Sequence, residues 1–147
     1  MDVQIRKALP EDIEVVRNLV YELAVYENEP DALKADLAHY HEQYEQGLFN
    51  CAVAELGGEI VGMTIYYLRF STWRGKMMHL EDFYIQDAHR RKGIGELLFE
   101  AFIEDSKAQD CKMVIWQVLE WNKLAVGFYD KYNAVYDKEW WNCKLYL

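Results

Sequence analysis

A chain of 147 residues, 52% apolar and 15% aromatic, is long enough to bury one core, and its composition excludes a disordered or fibrous polymer. A formal net charge of −9 excludes nucleic acid as the main partner, because phosphate repels such a surface, and it suits a cationic ligand. No run approaches the ~18 apolar residues of a membrane span, the start "MDVQIRKALPED" lacks a secretory leader's apolar stretch, and Cys51, Cys111 and Cys143 show no disulfide or metal spacing, so the expected setting is cytoplasmic, without membrane.

The alternation in "VQIRKA" (3–8) predicts a first or edge strand. Pro10 and the acids after it open a helix over 10–28, with Ile13, Val16, Val20, Leu23 and Ala24 on one face. A second helix is predicted over 31–47, stopped at Gly47. His39 and His41 would leave that helix on different sides, so no metal site is expected. "FNCAVAEL" and "EIVGMTIYYL" flank Gly57-Gly58 as a hairpin. "RFSTWRG" reads as a loop and "KMMHLEDFYIQ" as a third strand of this block. An amphipathic helix follows over 93–109, then a strand over 112–120, a short helix over 122–132, and one or two strands in the tail "AVYDKEWWNCKLYL". The order β-α-α-β-β-β-α-β-α-β predicts one α/β domain over 1–147, a mixed sheet with helices on both faces.

Chemistry concentrates at "HRRKGIGE", where three cations precede two glycines at a strand-to-helix turn. A helix start presents unpaired N–H groups, glycine lets a phosphate approach them, and Arg or Lys adds charge. Arg90, Arg91, Lys92, Gly93, Ile94, Gly95 and Glu96 therefore form a candidate pyrophosphate cradle. A dinucleotide-binding turn would carry a third glycine where Leu98 stands, and P-loop spacing is missing. A plain basic surface turn is the remaining alternative.

"RRKGIG" fits the arginine-x-x-glycine-x-glycine signature of the GNAT N-acetyltransferase superfamily, and "LEWNKLAVGFYDKYNA" resembles its later strand–Asn–helix–Tyr segment. "ELAVYE", "YYLRFSTWRGK", "LEDFYI" and "EWN" together resemble the diamine branch, which includes spermidine/spermine and thialysine N-acetyltransferases. The "STW" loop is closer to the thialysine type, since the polyamine type has an acid at the position of Ser71; Asn133 stands where the family usually has glycine. The likeness implies the GNAT fold: a mostly antiparallel sheet of six or seven strands, splayed between the fourth and fifth.

It implies acetyl-CoA as cosubstrate, no metal, and a small cationic amine as partner, attacked directly in a ternary complex. Protein or peptide amines, or a non-catalytic acyl-CoA sensor, are the alternatives. A lysine-like amine (pKa ~10.4) must lose its proton, and the leaving thiolate must gain one. The resemblance gives Tyr129 as the acid beside the CoA sulfur, with core packing as its other reading. It places Glu81 at the amine, as base or as ammonium binder; Glu81 and Asp82 point to opposite sides of a strand unless a bulge intervenes. In related enzymes pantetheine pairs with the strand of Phe83, Tyr84 and Ile85, while Asn122, Leu124 and Ala125 line its channel. Tyr26, Glu27, Trp73, Glu120 and Trp121 would surround the amine. Tyr26 and Glu27 could equally be a solvated helix end, and Trp73 loop packing. A homodimer is implied, with Trp140 and Trp141 in its interface or in the chain's own sheet.

Overall fold

The computed structural model describes residues 2–147. The chain divides into two compact units, Met1–Gln117 and Val118–Leu147.

The first unit is built on strands β1 (Val3–Lys7), β2 (Asn50–Leu56), β3 (Glu59–Ser71), β4 (Gly75–Ile85) and β5 (Met113–Trp116), in the order β1-β2-β3-β4-β5. The first four are antiparallel neighbours, and β5 joins β4 in parallel. The predicted edge strand is indeed at an edge. The sheet has five strands among the described residues, not six or seven.

Alternation along each strand supplies both faces. Cys51, Val53, Met63, Ile65 and Tyr84 pack with Ile13, Val16 and Leu19 of helix α1 (Ile13–Tyr26). A 3-10 turn at Pro10–Asp12 precedes α1, because Asp12 accepts from Leu9 N at 2.7 Å and pairs with Arg6 at 2.6 Å. The other face receives helix α3 (Ile94–Ala108): Phe83 stacks on Phe99, Tyr66 meets Phe102 edge-on, and the Tyr66 hydroxyl donates to Asp105 at 2.8 Å. Helices on both faces are thus present as expected.

Helix α2 (Leu37–Glu45) starts later than its periodicity suggested. Asp36 caps it by accepting from His39 N at 2.8 Å, a bond worth about 1 kcal/mol. The residues before Asp36 stay non-helical, and Ala35 O is held by the Arg17 guanidinium at 2.8 and 2.9 Å. The expected loop over 69–75 is mostly strand, because Ser71 Oγ accepts from Trp73 N and Arg74 N and closes a tight turn between β3 and β4.

The second unit contains α4 (Lys123–Asp130), followed by a tail with no strand. The tail has strand-like composition, yet a strand exists only through a hydrogen-bonded partner, and no ladder includes it. Val135, Trp140, Trp141, Leu145 and Tyr146 are left exposed.

Candidate active site

The ladder between β3 and β4 slips by one residue: Ile65 faces Asp82 and Tyr66 faces Leu80, so Glu81 is the extra residue of a β-bulge. A bulge turns two consecutive residues of one strand towards the same side. Glu81 Oε2 accepts from Tyr67 Oη at 2.9 Å and lies 3.1 Å from His79 Nε2. Asp82, opposite core residue Ile65, feels Glu81 and Glu27, the residue that closes α1. The strand alternation that would have separated the two acids is broken where they stand.

Their electrostatics diverge. The His79 hydrogen bond holds Glu81 below the usual carboxylate range, against the opposing effect of burial, and the Tyr67 hydroxyl adds to it. Burial pushes Asp82 up to about 7, with the charges of Glu81 and Glu27 adding to the rise. Glu27 is itself raised by burial. Tyr67 is driven up to about 12 by burial and by donation to Glu81, and Tyr40 of α2 is raised by burial and by Asp82. One face therefore holds an ionised acid beside an acid poised to exchange a proton near neutrality. Asp82 was not among the sequence-derived site residues, because only the ladder register shows the bulge that brings it beside Glu81.

Pairing of β4 with β5 stops at Leu80 and Trp116, while β4 runs on to Ile85. β5 itself ends at Trp116, so β4 from Glu81 to Ile85 runs on beyond it, along the stretch that the resemblance gave to pantetheine. The glycine turn lies just beyond. Arg91 (φ 60°) and Gly93 (φ 79°) are left-handed, and Gly93 begins α3 without a side-chain cap. A Cβ on Gly93 would meet nothing within 4 Å, so the helix start is open to an anion. Arg91 and Lys92 are exposed there. Arg90 is not part of that opening: its Nε donates to Ile85 O at 2.9 Å and its guanidinium covers Tyr26 and Tyr84, 4.7 and 5.3 Å from the ring centres. Tyr26 is thus a wall of this clamp. Trp73, 86% exposed, sits at the β3–β4 turn with no ring contact among the described residues.

In the second unit, Asn122 caps α4 by accepting from Ala125 N at 3.2 Å. Tyr129 is buried, its ring edge-on to Phe128 at 5.5 Å, and Leu124 is exposed. Glu120 and Trp121 are exposed ahead of the cap. Among the described residues no His, Cys, Asp and Glu group could hold a metal, and no helix is long and apolar enough to cross a membrane.

A strand that carries two acids and runs into an uncapped, glycine-led helix start can serve an anionic cosubstrate and a cationic substrate together. Residues 14–134 match the acetyltransferase (GNAT) family, across both units, and the chain belongs to that family and is an N-acetyltransferase. The thialysine N-epsilon-acetyltransferase of Bos taurus is 32% identical over 153 residues, covering 96% of this chain and 90% of that protein. The protein of the same name from Caenorhabditis elegans is 32% identical over 130 residues, covering 86% and 79%. The human spermidine/spermine N(1)-acetyltransferase-like protein 1 is 29% identical and covers 90% of this chain but 20% of that longer protein. An aminoglycoside acetyltransferase from an uncultured soil metagenomic sample has the same fold, with a TM-score of 0.83 at 19% identity over 99% of this chain and all of that one (100%).

Proposed function

We propose that the chain acetylates a primary amine of a small cationic substrate, with thialysine or a lysine-like amino acid ahead of diamines and polyamines, by direct attack in a ternary complex. The observation that carries this reading is the grouping of Glu27, Glu81 and Asp82 on one face of the sheet, beside the point where β4 leaves β5. The thialysine relatives support the order of substrates.

When bound, acetyl-CoA supplies the acetyl group as a thioester. The amide hydrogens of 93–96, with Arg91 and Lys92, hold its pyrophosphate. The edge of Phe83, Tyr84 and Ile85 would pair with pantetheine as a substitute strand; in the second unit, Asn122, Leu124 and Ala125 are the residues that the family resemblance gives to the same cosubstrate. Tyr26, Glu27 and Glu81 draw in the ammonium, with Trp73, Glu120 and Trp121 as further substrate contacts. Asp82 takes the ammonium proton on a carboxylate oxygen, since Glu81 is already engaged by two donors. As the C–N bond forms and the C–S bond of the thioester breaks, the Tyr129 hydroxyl would give its proton to the departing thiolate. The exposed tail aromatics Trp140 and Trp141 favour a homodimer, which sedimentation of the full chain reads directly.

The test is amine-dependent release of free CoA thiol over thialysine, lysine, spermidine, putrescine and aminoglycosides. Thialysine or lysine should give the highest kcat/KM. Acetyl-CoA binding with no thiol release for any amine would overturn the reading.

A further inference from the structure

We propose that His79 is a positioning residue: the Arg69 guanidinium locks it as the tautomer with its proton on Nε2, so that it donates to Glu81 and orients that carboxylate at the mouth of the site. Arg69 Nη1 lies 3.0 Å from His79 Nδ1, and Nη1 can only donate. Nδ1 must then carry a lone pair, and the ring's one proton falls on Nε2, 3.1 Å from Glu81 Oε2. The lock is built into the sheet. Tyr67 and His79 are cross-strand partners, their rings 5.1 Å apart and tilted by 32°, so the imidazole is held against an aromatic face. The His79 side chain is only 9% exposed, whereas that of Glu81 is 51% exposed, which places the donor inside and the acceptor at the site's mouth.

The groups facing this ring are few. Arg69 and Tyr67 reach it from β3, and Glu81 from its own strand. Its β5 neighbour, Ile115, carries no charge. Glu27 and Tyr40 act one step away, on Asp82. A proton on His79 Nδ1 would set two N–H donors against each other, so Arg69 fixes the ring proton on Nε2. A Glu81 carboxylate oriented in this way meets an incoming ammonium. This arrangement rests on the proposed amine acetylation for its catalytic arm alone.

The experiment uses the full chain with ¹⁵N-labelled histidine, reading ring nitrogens by NMR. The His79 signals are those lost in His79→Gln. They should show a protonated Nε2 and a bare Nδ1 near neutral pH. Arg69→Met, at an exposed position, should release the lock: an Nδ1-protonated or imidazolium form appears at the same pH. KM for the amine should rise about tenfold while KM for acetyl-CoA stays unchanged. His79→Gln, whose amide still donates to Glu81, should keep a near-normal amine KM, and His79→Phe should raise it. A proton on Nδ1 in the parent protein, or an Arg69→Met protein with unaltered tautomer and KM, overturns the proposal. A confirmed tautomer without turnover of any amine would instead overturn the function while the lock stands.

Discussion

Asp82 carries its carboxyl into a largely buried position with no hydrogen-bond donor among the described residues, one residue from a carboxylate that has two. Its ordinary value is 3.8 and its folded value about 7. Between those limits the folded protein keeps a proton that the unfolded chain has released, so stability falls as pH rises through that window and the full penalty applies above it. Asn cannot ionise. Asp82→Asn should therefore leave thermal stability unchanged near pH 4 and raise Tm at pH 8 by roughly 5 °C. The same variant should lose most of its turnover, with the limb of the pH–rate profile near neutrality removed. Scanning calorimetry at the two pH values and steady-state kinetics check both halves. A Tm gain that is equal at both pH values would mean that burial does not raise this carboxyl. Glu81→Gln should act differently, raising KM for the amine more than it lowers kcat, because Glu81, held below the usual carboxylate range by its donors, binds the ammonium rather than taking its proton.

At the scale of elements, two glycines separate function from packing. Gly62 on β3 lies under α3, where a Cβ would stand 2.5 Å from Ile85 Cδ1 and 3.1 Å from Tyr84 O. Gly93 has open space but a φ of 79°. Gly93→Ala should cost about 1–2 kcal/mol, from the left-handed backbone alone, and should raise KM for acetyl-CoA because its methyl enters the space before the helix. Gly62→Ala should lower Tm more and leave that KM unchanged in the folded fraction. Thermal melts and saturation kinetics distinguish the two. The elements that were legible in the sequence share one property: their pattern records their own burial. Ile13, Val16 and Leu19, or Ile94, Leu98 and Phe102, repeat at helical spacing because one face meets the sheet. What escaped depended on partners. The start of α2 is set by one Asp36 carboxylate. The tail reads as strand by composition, but no sequence pattern reports a missing neighbour. The bulge at Glu81 comes from ladder register, which alternation within one strand cannot reveal.

The charge of the whole molecule has a direction. The chain carries −9, yet Arg90, Arg91 and Lys92 gather three cations at one turn, while Glu27, Glu81 and Asp82 meet elsewhere on the same unit. Arg90 is spent on Tyr26, Tyr84 and Ile85 O, and Lys92 Nζ donates to Ala88 O at 3.1 Å, which leaves the exposed Arg91 and the outward side of Lys92 as the positive charge at the turn. The remainder of the surface attracts cations over distances set by the Debye length, about 10 Å at 0.1 M salt. A dicationic amine gains roughly twice the long-range attraction of a monocation, and salt removes that gain first. Raising ionic strength from about 50 mM to about 500 mM should therefore raise KM for a diamine several-fold. It should raise KM for a substrate of single net positive charge less, and leave kcat for both unchanged, since the short contacts to Glu81 lie inside the screening length. Steady-state kinetics with putrescine and lysine over a salt series measure this. Equal salt dependence for the two amines would show that the acids act only at contact and that the net charge plays no part in drawing substrate in.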